Sequence, residues 1–162
     1  MLFWQSMISS VTQEDPAGCA IACVAAVLRT SYRSAKRLFE CPEHASSRGF
    51  YCREIVHALN KKQAGYTFSK VSEKNKQLLK EMGCIVFIEK SRKYPLGHFL
   101  VKTKKGWMNP WINFPSITPA QSGFQQKLPG KPKWVIENFG VNTPAFRPKF
   151  SISKTRLSRR GA

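Results

Sequence analysis

The chain has 162 residues, of which 42% are hydrophobic and 12% are aromatic. This length and composition suit one domain with its own core, and they exclude a chain that is disordered throughout. The formal net charge is +18, from 27 Lys and Arg against 9 Asp and Glu, which favours anionic partners. Five cysteines without a framework-like spacing argue against a disulfide scaffold and for a reducing compartment.

The amino-terminal segment is apolar, but it has neither a basic region nor a long hydrophobic core, so we expect no signal peptide. No apolar run approaches the roughly 20 residues that span a bilayer, so we expect no membrane span. No Cys-x-x-Cys pair lies near histidines, and we therefore expect no metal and no other cofactor. These features predict a cytoplasmic protein, or one that is delivered by a route without a signal.

The loop from Gln13 to Cys19 is the centre of the predicted fold. Pro16 and Gly18 break regular structure, and the small, apolar run from Cys19 to Arg29 then predicts a buried helix. Cys19 falls in the first turn, where free N–H groups and the helix dipole stabilise a negative sulfur. We expect a lowered pKa and a nucleophilic thiolate at Cys19. The Gln13 amide and the Cys19 N–H could together form an oxyanion hole.

Three more helices are predicted downstream. They run from Ser34, the expected N-cap, to Phe39, then over 51–62, and then over 72–82 with Gly83 as the terminator. His57 lies in the second of these and is a rival catalytic base. A lone histidine in a helix is more often a surface or packing residue, and no orienting partner follows it in the sequence.

A hairpin is predicted by the segments 97–102 and 107–111, which flank a turn at 103–106. If Lys102 pairs with Trp107, then His98 and Asn109 become diagonal neighbours on one face of the sheet. His98 can then act as a general base, and Asn109 can hold its ring and tautomer. The alternative is an ordinary hairpin whose histidine only packs.

Two further apolar runs predict strands, 84–88 before the hairpin and 134–137 after a loop-rich segment. From residue 131 onward eight Lys or Arg stand against one acidic residue, Glu137. We therefore divide the chain into a domain, 1–138, and a basic tail, 139–162. Two interpretations of the tail stay open: it binds a polyanion such as nucleic acid or an acidic protein, or it only keeps the protein soluble.

The sequence resembles the papain-like cysteine peptidases in three features: Gln-x5-Cys at a helix start, a distant Gly-His-Phe-Leu-Val strand, and an Asn-Pro after the turn. Over roughly two thirds of the chain, the resemblance is greatest to bacteriocin-processing domains, which cleave leader peptides after a double glycine. It implies an α+β papain-like fold with an N-terminal helical half packed on an antiparallel sheet. It assigns Cys19 as nucleophile, His98 as base, Asn109 as orienter and Gln13 as oxyanion donor. Gly18 and Asn109 stand where those bacteriocin domains usually have Asp.

The expected activity is cleavage of a peptide or leader sequence through a Cys-His-Asn triad, with a peptide or protein as substrate. Two alternatives stay open. The same triad can run deamidation, transglutamination or isopeptide cleavage in a toxin or effector, because fold and triad do not fix the acceptor. A non-enzymatic, basic nucleic-acid-binding domain is the second alternative. Against it, aromatic and basic residues do not interleave in a stacking motif.

Overall fold

Helices dominate the first part of the chain and strands the second, in a computed structural model that describes residues 8–115 and 119–142. The helices are α1 (Cys19–Leu28), α2 (Tyr32–Lys36), α3 (Cys52–Asn60) and α4 (Phe139–Asn142). The strands are β1 (Tyr66–Lys70), β2 (Ile85–Ile88), β3 (His98–Thr103), β4 (Gly106–Asn109), β5 (Gly123–Gln125) and β6 (Pro132–Asn138). Two 3-10 helices, Pro42–Ser46 and Lys76–Lys80, lie in the connections. The predicted α+β class with an antiparallel sheet is confirmed.

The six strands form one antiparallel sheet in the order β1-β6-β2-β3-β4-β5. The predicted strands at 84–88 and 134–137 are β2 and β6, and β6 lies inside the sheet between β1 and β2. Lys102 pairs with Trp107, which confirms the predicted hairpin register. This register places His98 and Asn109 on the same face of the sheet.

The core has α1 at its centre. Every residue from Ala20 to Ala26 is buried, because this helix is small and apolar on all sides and α1 packs against α2, α3 and β3. The central strands of the sheet are buried on both faces, and their successive residues enter opposite clusters. The helix-side cluster includes Ile85, Phe99, Val101 and Ile136. The opposite cluster includes Val86, Leu100, Trp107 and Val135.

Two helix predictions are corrected. Helix α2 begins at Tyr32 and not after Ser34, because Ser31 is the N-cap and its hydroxyl accepts the Ser34 N–H at 3.1 Å. The helix expected over 72–82 is reduced to the 3-10 helix at 76–80. There the Asn75 carboxamide accepts the Ser72 N–H at 2.7 Å and donates to the Lys70 carbonyl at 2.9 Å. These side-chain contacts replace the first helical turn.

No helix in the described ranges is long and apolar enough to cross a membrane. Helix α4 occupies the first four residues of the predicted tail, and the Phe139 N–H donates to the Gly65 carbonyl at 3.1 Å. The remainder of the tail, from residue 143, lies outside the described residues, as do residues 1–7.

Candidate active site

The nucleophile candidate, Cys19, is the first residue of α1, and Gly18 is its N-cap. A Cβ at position 18 would overlap the Tyr32 hydroxyl, so the close approach of Tyr32 requires glycine there. The Tyr32 hydroxyl donates to Asp15 Oδ2 at 2.7 Å, and Lys36 Nζ donates to the same oxygen at 2.9 Å. These two hydrogen bonds hold the loop that leads into α1. Because the Tyr32 hydroxyl fills the space beside residue 18, an acidic side chain does not fit directly before Cys19.

The thiol of Cys19 is not the acidic group that its position at a helix start predicts. Burial raises its pKa to about 11, although backbone N–H groups of Phe99, Ala20 and Cys19 itself act in the opposite direction. The residue keeps some solvent exposure, yet desolvation of the sulfur outweighs the helix start. The expected lowered pKa is therefore wrong, and the resting form of Cys19 is the neutral thiol. Cys23, one turn along, is fully buried, and its pKa is also raised by burial.

The base candidate, His98, is the first residue of β3 and lines the same cleft as Cys19. The cleft has a volume of about 520 Å³ and lies where the first turn of α1 meets the start of β3. Gly97 precedes the histidine at φ 75°, and a Cβ there would overlap the Phe87 ring, so this position also requires glycine. Burial lowers the pKa of His98 to about 4, and Lys93 adds to this effect while the Asn109 hydrogen bond opposes it.

The tautomer of His98 follows from its partner. His98 Nε2 lies 2.7 Å from Asn109 Oδ1, and the backbone N–H of Trp111 donates to that same oxygen at 3.0 Å. Because a backbone N–H can only donate, Oδ1 is identified as an acceptor, and Nε2 must carry the proton. Nδ1 then has a free lone pair and no hydrogen-bond partner within the described part of the chain. A neutral imidazole with a free Nδ1 is equipped to accept a proton.

The orienting residue, Asn109, is fully buried at the end of β4. Its Nδ2 donates to Gln125 Oε1 at 2.8 Å and to the Tyr94 hydroxyl at 3.4 Å. The Tyr94 ring also stacks on the His98 ring, with centroids 4.5 Å apart and planes 12° apart. Tyr94 and Gln125 thus belong to the site, although the sequence analysis did not single them out.

Gln13 lines the cleft, but its amide nitrogen is already engaged. Nε2 donates to the carbonyls of Asp15 at 3.0 Å and Pro16 at 3.2 Å, and the residue is 5% exposed. Its Oε1 is buried without a hydrogen-bond partner among residues 8–115 and 119–142. Gln13 therefore lies in the cleft wall as expected, while its role as oxyanion donor stays a prediction.

The rival base, His57, lies elsewhere. Its imidazole is half exposed and pairs with Glu40 at 3.0 Å, a partner that the sequence analysis missed. His57 and Glu40 line a separate cavity of about 260 Å³ together with Cys41, whereas Cys19 lines the cleft that holds His98.

An aromatic pocket of about 220 Å³ adjoins the cleft, and the two cavities share four lining residues. The shared residues are Phe50, Tyr51, Phe87 and Phe99. Phe68 and Trp134 extend the pocket with their rings 5.9 Å apart. Arg48 and Lys90 line the cleft, and none of its described lining residues is acidic. The arrangement suits a chain with neutral or acidic groups and a large apolar side chain.

No known protein family matches the sequence, and no curated protein matches it significantly. Within the described ranges, His, Cys, Asp and Glu side chains form no cluster of three or more that could hold a metal ion. The chemistry of this chain therefore has to be inferred from the cleft residues themselves.

Proposed function

We propose that the chain is a papain-like cysteine peptidase that cleaves a peptide or leader sequence with Cys19, His98 and Asn109. The observation that carries the proposal is that residues suited to all three roles lie together at one cleft. A thiol at a helix start and an imidazole with a free Nδ1 line one cleft, and a buried amide fixes the imidazole. The helices that precede the sheet in the chain, with α1 packed against β3, are compatible with a papain-like fold.

The resting pair is neutral, so the thiol loses its proton during attack. His98 Nδ1 takes the proton of Cys19 as Sγ forms a bond to the scissile carbonyl carbon, and the carbonyl electrons move to oxygen. When the tetrahedral intermediate collapses, the C–N bond breaks and the leaving amine takes the proton from His98. A water molecule, deprotonated by His98, then attacks the thioester and releases the acid and the free thiol.

Asn109 gains importance when His98 becomes charged. The imidazolium carries protons on both ring nitrogens, and its Nε2–H continues to donate to Asn109 Oδ1. An amide stabilises this cation through its dipole, with no negative charge of its own. We therefore assign Asn109 the orienting role and not that of a counter-ion.

The oxyanion needs donors, and the Cys19 backbone N–H at the helix start is the first. Gln13 supplies the second if its amide turns from the Asp15 and Pro16 carbonyls toward the substrate oxygen. Its buried, unpartnered Oε1 makes the present orientation costly, because a buried acceptor without a donor loses hydration without compensation. This cost raises the free energy of the present orientation and offsets part of the two hydrogen bonds that such a turn gives up.

The cleft and the aromatic pocket support an extended peptide as the substrate. The peptide backbone would lie past Cys19 and His98, and a large apolar side chain would enter the space beside Phe68 and Trp134. Lys90 at the cleft favours substrates without positive charge near the scissile bond, whereas the charge of Arg48 is compensated by its pair with Glu54.

Cleavage of a peptide library, with new termini identified by mass spectrometry, tests the proposal. Wild type should generate fragments, and Cys19→Ala and His98→Ala should not. Cys41→Ala is the matched control, because it removes an exposed thiol outside the cleft by the same substitution. Product masses also separate hydrolysis, which adds water, from deamidation and acyl transfer to an amine. Equal cleavage by wild type and Cys19→Ala would contradict the proposal.

A further inference from the structure

We propose that Gln125 is a positioning residue that fixes the Asn109 amide and, through this amide, the tautomer of His98. The same contact makes position 109 suited to asparagine and not to aspartate. The kinetic consequences rest on the proposed function. The central statement concerns which ring nitrogen of His98 carries a proton, and this can be measured in a protein without activity.

The first observation is that the Asn109 side chain has no hydrogen-bonding capacity left. Oδ1 accepts from His98 Nε2 and from the Trp111 N–H, and Nδ2 donates to Gln125 Oε1 and to the Tyr94 hydroxyl. A carboxamide offers two acceptor sites and two donors, so all four are used in a fully buried residue. Of the two donor contacts, the one to Gln125 is shorter, at 2.8 Å against 3.4 Å.

The second observation fixes the direction of this chain of hydrogen bonds. Gln125 Nε2 donates to the Lys127 carbonyl at 2.8 Å. A carbonyl can only accept, so the nitrogen end of Gln125 is held by the backbone and its oxygen end must face Asn109. The donors then follow one direction: His98 to Asn109, Asn109 to Gln125, and Gln125 to Lys127. One backbone group therefore fixes each amide: the Trp111 N–H binds the oxygen of Asn109, and the Lys127 carbonyl binds the nitrogen of Gln125.

Strand pairing places Gln125 at this position. Asn109 is opposite Gly123 in the β4–β5 ladder, and Gln125 is two residues further along β5 on the same face. Diagonal neighbours on one face lie within reach of long side chains. Gly123 has no side chain that could compete for the Asn109 amide, so Gln125 can approach it from the diagonal position.

The consequence for position 109 follows from the orientation of Gln125. An aspartate there would present an oxygen to Gln125 Oε1, and two acceptors would face each other across a part-buried contact whose Asn109 side is fully buried. Gln125 could avoid this only by rotating its amide, which would break the bond to the Lys127 carbonyl. The surroundings of position 109 are therefore built for an amide, in contrast to the aspartate of the bacteriocin domains that the sequence resembles.

Nitrogen NMR of the imidazoles tests the proposal directly, because the chain has only three histidines. In wild type at neutral pH, His98 should be neutral and protonated at Nε2. In Gln125→Leu, and in the smaller Gln125→Ala, Asn109 loses its shorter acceptor. Its amide is then held only by the Trp111 N–H and the longer Tyr94 contact, so a fraction should turn and His98 should become a mixture with the Nδ1–H tautomer. Gln125→Glu loses the exposed bond to the Lys127 carbonyl, but it keeps an acceptor toward Asn109 and should restore the wild-type tautomer. Gln126→Leu is the matched control, since Gln126 is exposed and contacts the Lys105 carbonyl instead.

The kinetic constants kcat and KM provide the second measurement. Gln125→Leu should lower kcat about tenfold with little change in KM, because an unsatisfied buried donor and a misoriented ring affect the proton transfer and not peptide binding. Asn109→Asp should cost more in the wild type than in the Gln125→Leu background, where no facing oxygen remains.

The outcomes separate the two proposals. If Gln125→Leu and Gln125→Ala keep the wild-type tautomer and the kcat of Gln126→Leu, the positioning role is wrong while a peptidase function can stand. If the tautomer shifts but wild type cleaves no peptide, the positioning role stands and the proposed function fails. Should Gln125→Leu not fold, the comparison of Gln125→Ala with Gln125→Glu decides in the same way.

Discussion

His98 Nε2 lies 2.7 Å from Asn109 Oδ1, and this contact determines which nitrogen of the ring is available for chemistry. With the proton held on the Asn109 side, the lone pair of Nδ1 is left for the cleft that also contains Cys19. Tyr94 covers one face of the ring, which limits access of water to the contact. The orientation of a single amide thus decides whether the free lone pair of His98 lies on Nδ1 or on Nε2.

His98 and His57, the two candidates for the catalytic base, can be compared by the same substitution. His98→Ala should lower kcat/KM by about 10²–10⁴-fold, since the general base is lost. His57→Ala should leave kcat/KM unchanged, because His57 pairs with Glu40 in a separate cavity. Asn109→Ala should give an intermediate loss, because only orientation is removed. A loss of turnover in His57→Ala but not in His98→Ala would contradict the assignment.

The pH dependence should reflect a neutral resting pair. His98 is a base only when unprotonated, and its lowered pKa of about 4 means that kcat/KM should rise through pH 4 and then level off. Because the pKa of Cys19 is raised to about 11, the thiolate should form only at strongly alkaline pH.

The difference in ultraviolet thiolate absorbance between wild type and Cys19→Ala measures the Cys19 titration. The absorbance should rise near pH 11, and iodoacetamide should not favour Cys19 over the exposed Cys41 at about pH 6. A thiolate already present at neutral pH would contradict the raised pKa of Cys19 and the neutral resting pair.

The space at Gly18 can be tested by stability. Gly18→Ala should lower the free energy of unfolding by about 1–3 kcal/mol, because the new methyl group overlaps the Tyr32 hydroxyl. Tyr32→Phe removes that hydroxyl and leaves the contact between Lys36 and Asp15 in place. The cost of Gly18→Ala should therefore be smaller in the Tyr32→Phe background. Equal costs in both backgrounds, measured by denaturant unfolding, would show that Tyr32 does not set the requirement for glycine.

The basic tail should be separable from catalysis. Truncation after residue 142 keeps α4 and its bond from Phe139 to the Gly65 carbonyl, and removes the segment from 143. Cleavage of a short peptide should be unchanged, because the described site residues all lie upstream. Binding to heparin should weaken, and the binding that wild type shows should fall steeply with salt as counterions are released. Loss of cooperative unfolding on truncation would instead assign the tail to the folded core.

Much of the site could be predicted because its signals are local. Pro16 and Gly18 locate the start of α1, and the turn before Gly106 sets the register that brings His98 and Asn109 together. The chemistry of Cys19 could not be predicted in the same way. A helix start is visible in the sequence, whereas desolvation of the sulfur depends on what packs around it, including the Phe99 backbone from a distant strand.

The parts that were missed depend on contacts between distant or weakly patterned segments. Strand β5 has only three residues, too few for periodicity, so the position of Gln125 opposite the hairpin was not visible. Strand β1 was missed as well, although Tyr66, Phe68 and their polar neighbours alternate along it. The helix expected over 72–82 does not form at its predicted start, because the Asn75 side chain bonds the backbone N–H and C=O groups of this turn.

The most direct test of the central claim is to trap the acyl-enzyme. Wild type is mixed with a peptide thioester carrying an aromatic side chain, quenched in acid, and analysed by intact mass and peptide mapping. We predict one acyl group on Cys19, a much slower transfer in His98→Ala, and none in Cys19→Ala, while Cys41→Ala behaves as wild type. Acylation that is equal in wild type and Cys19→Ala, or that maps to Cys41, would contradict the assignment of Cys19 and His98 as the catalytic pair.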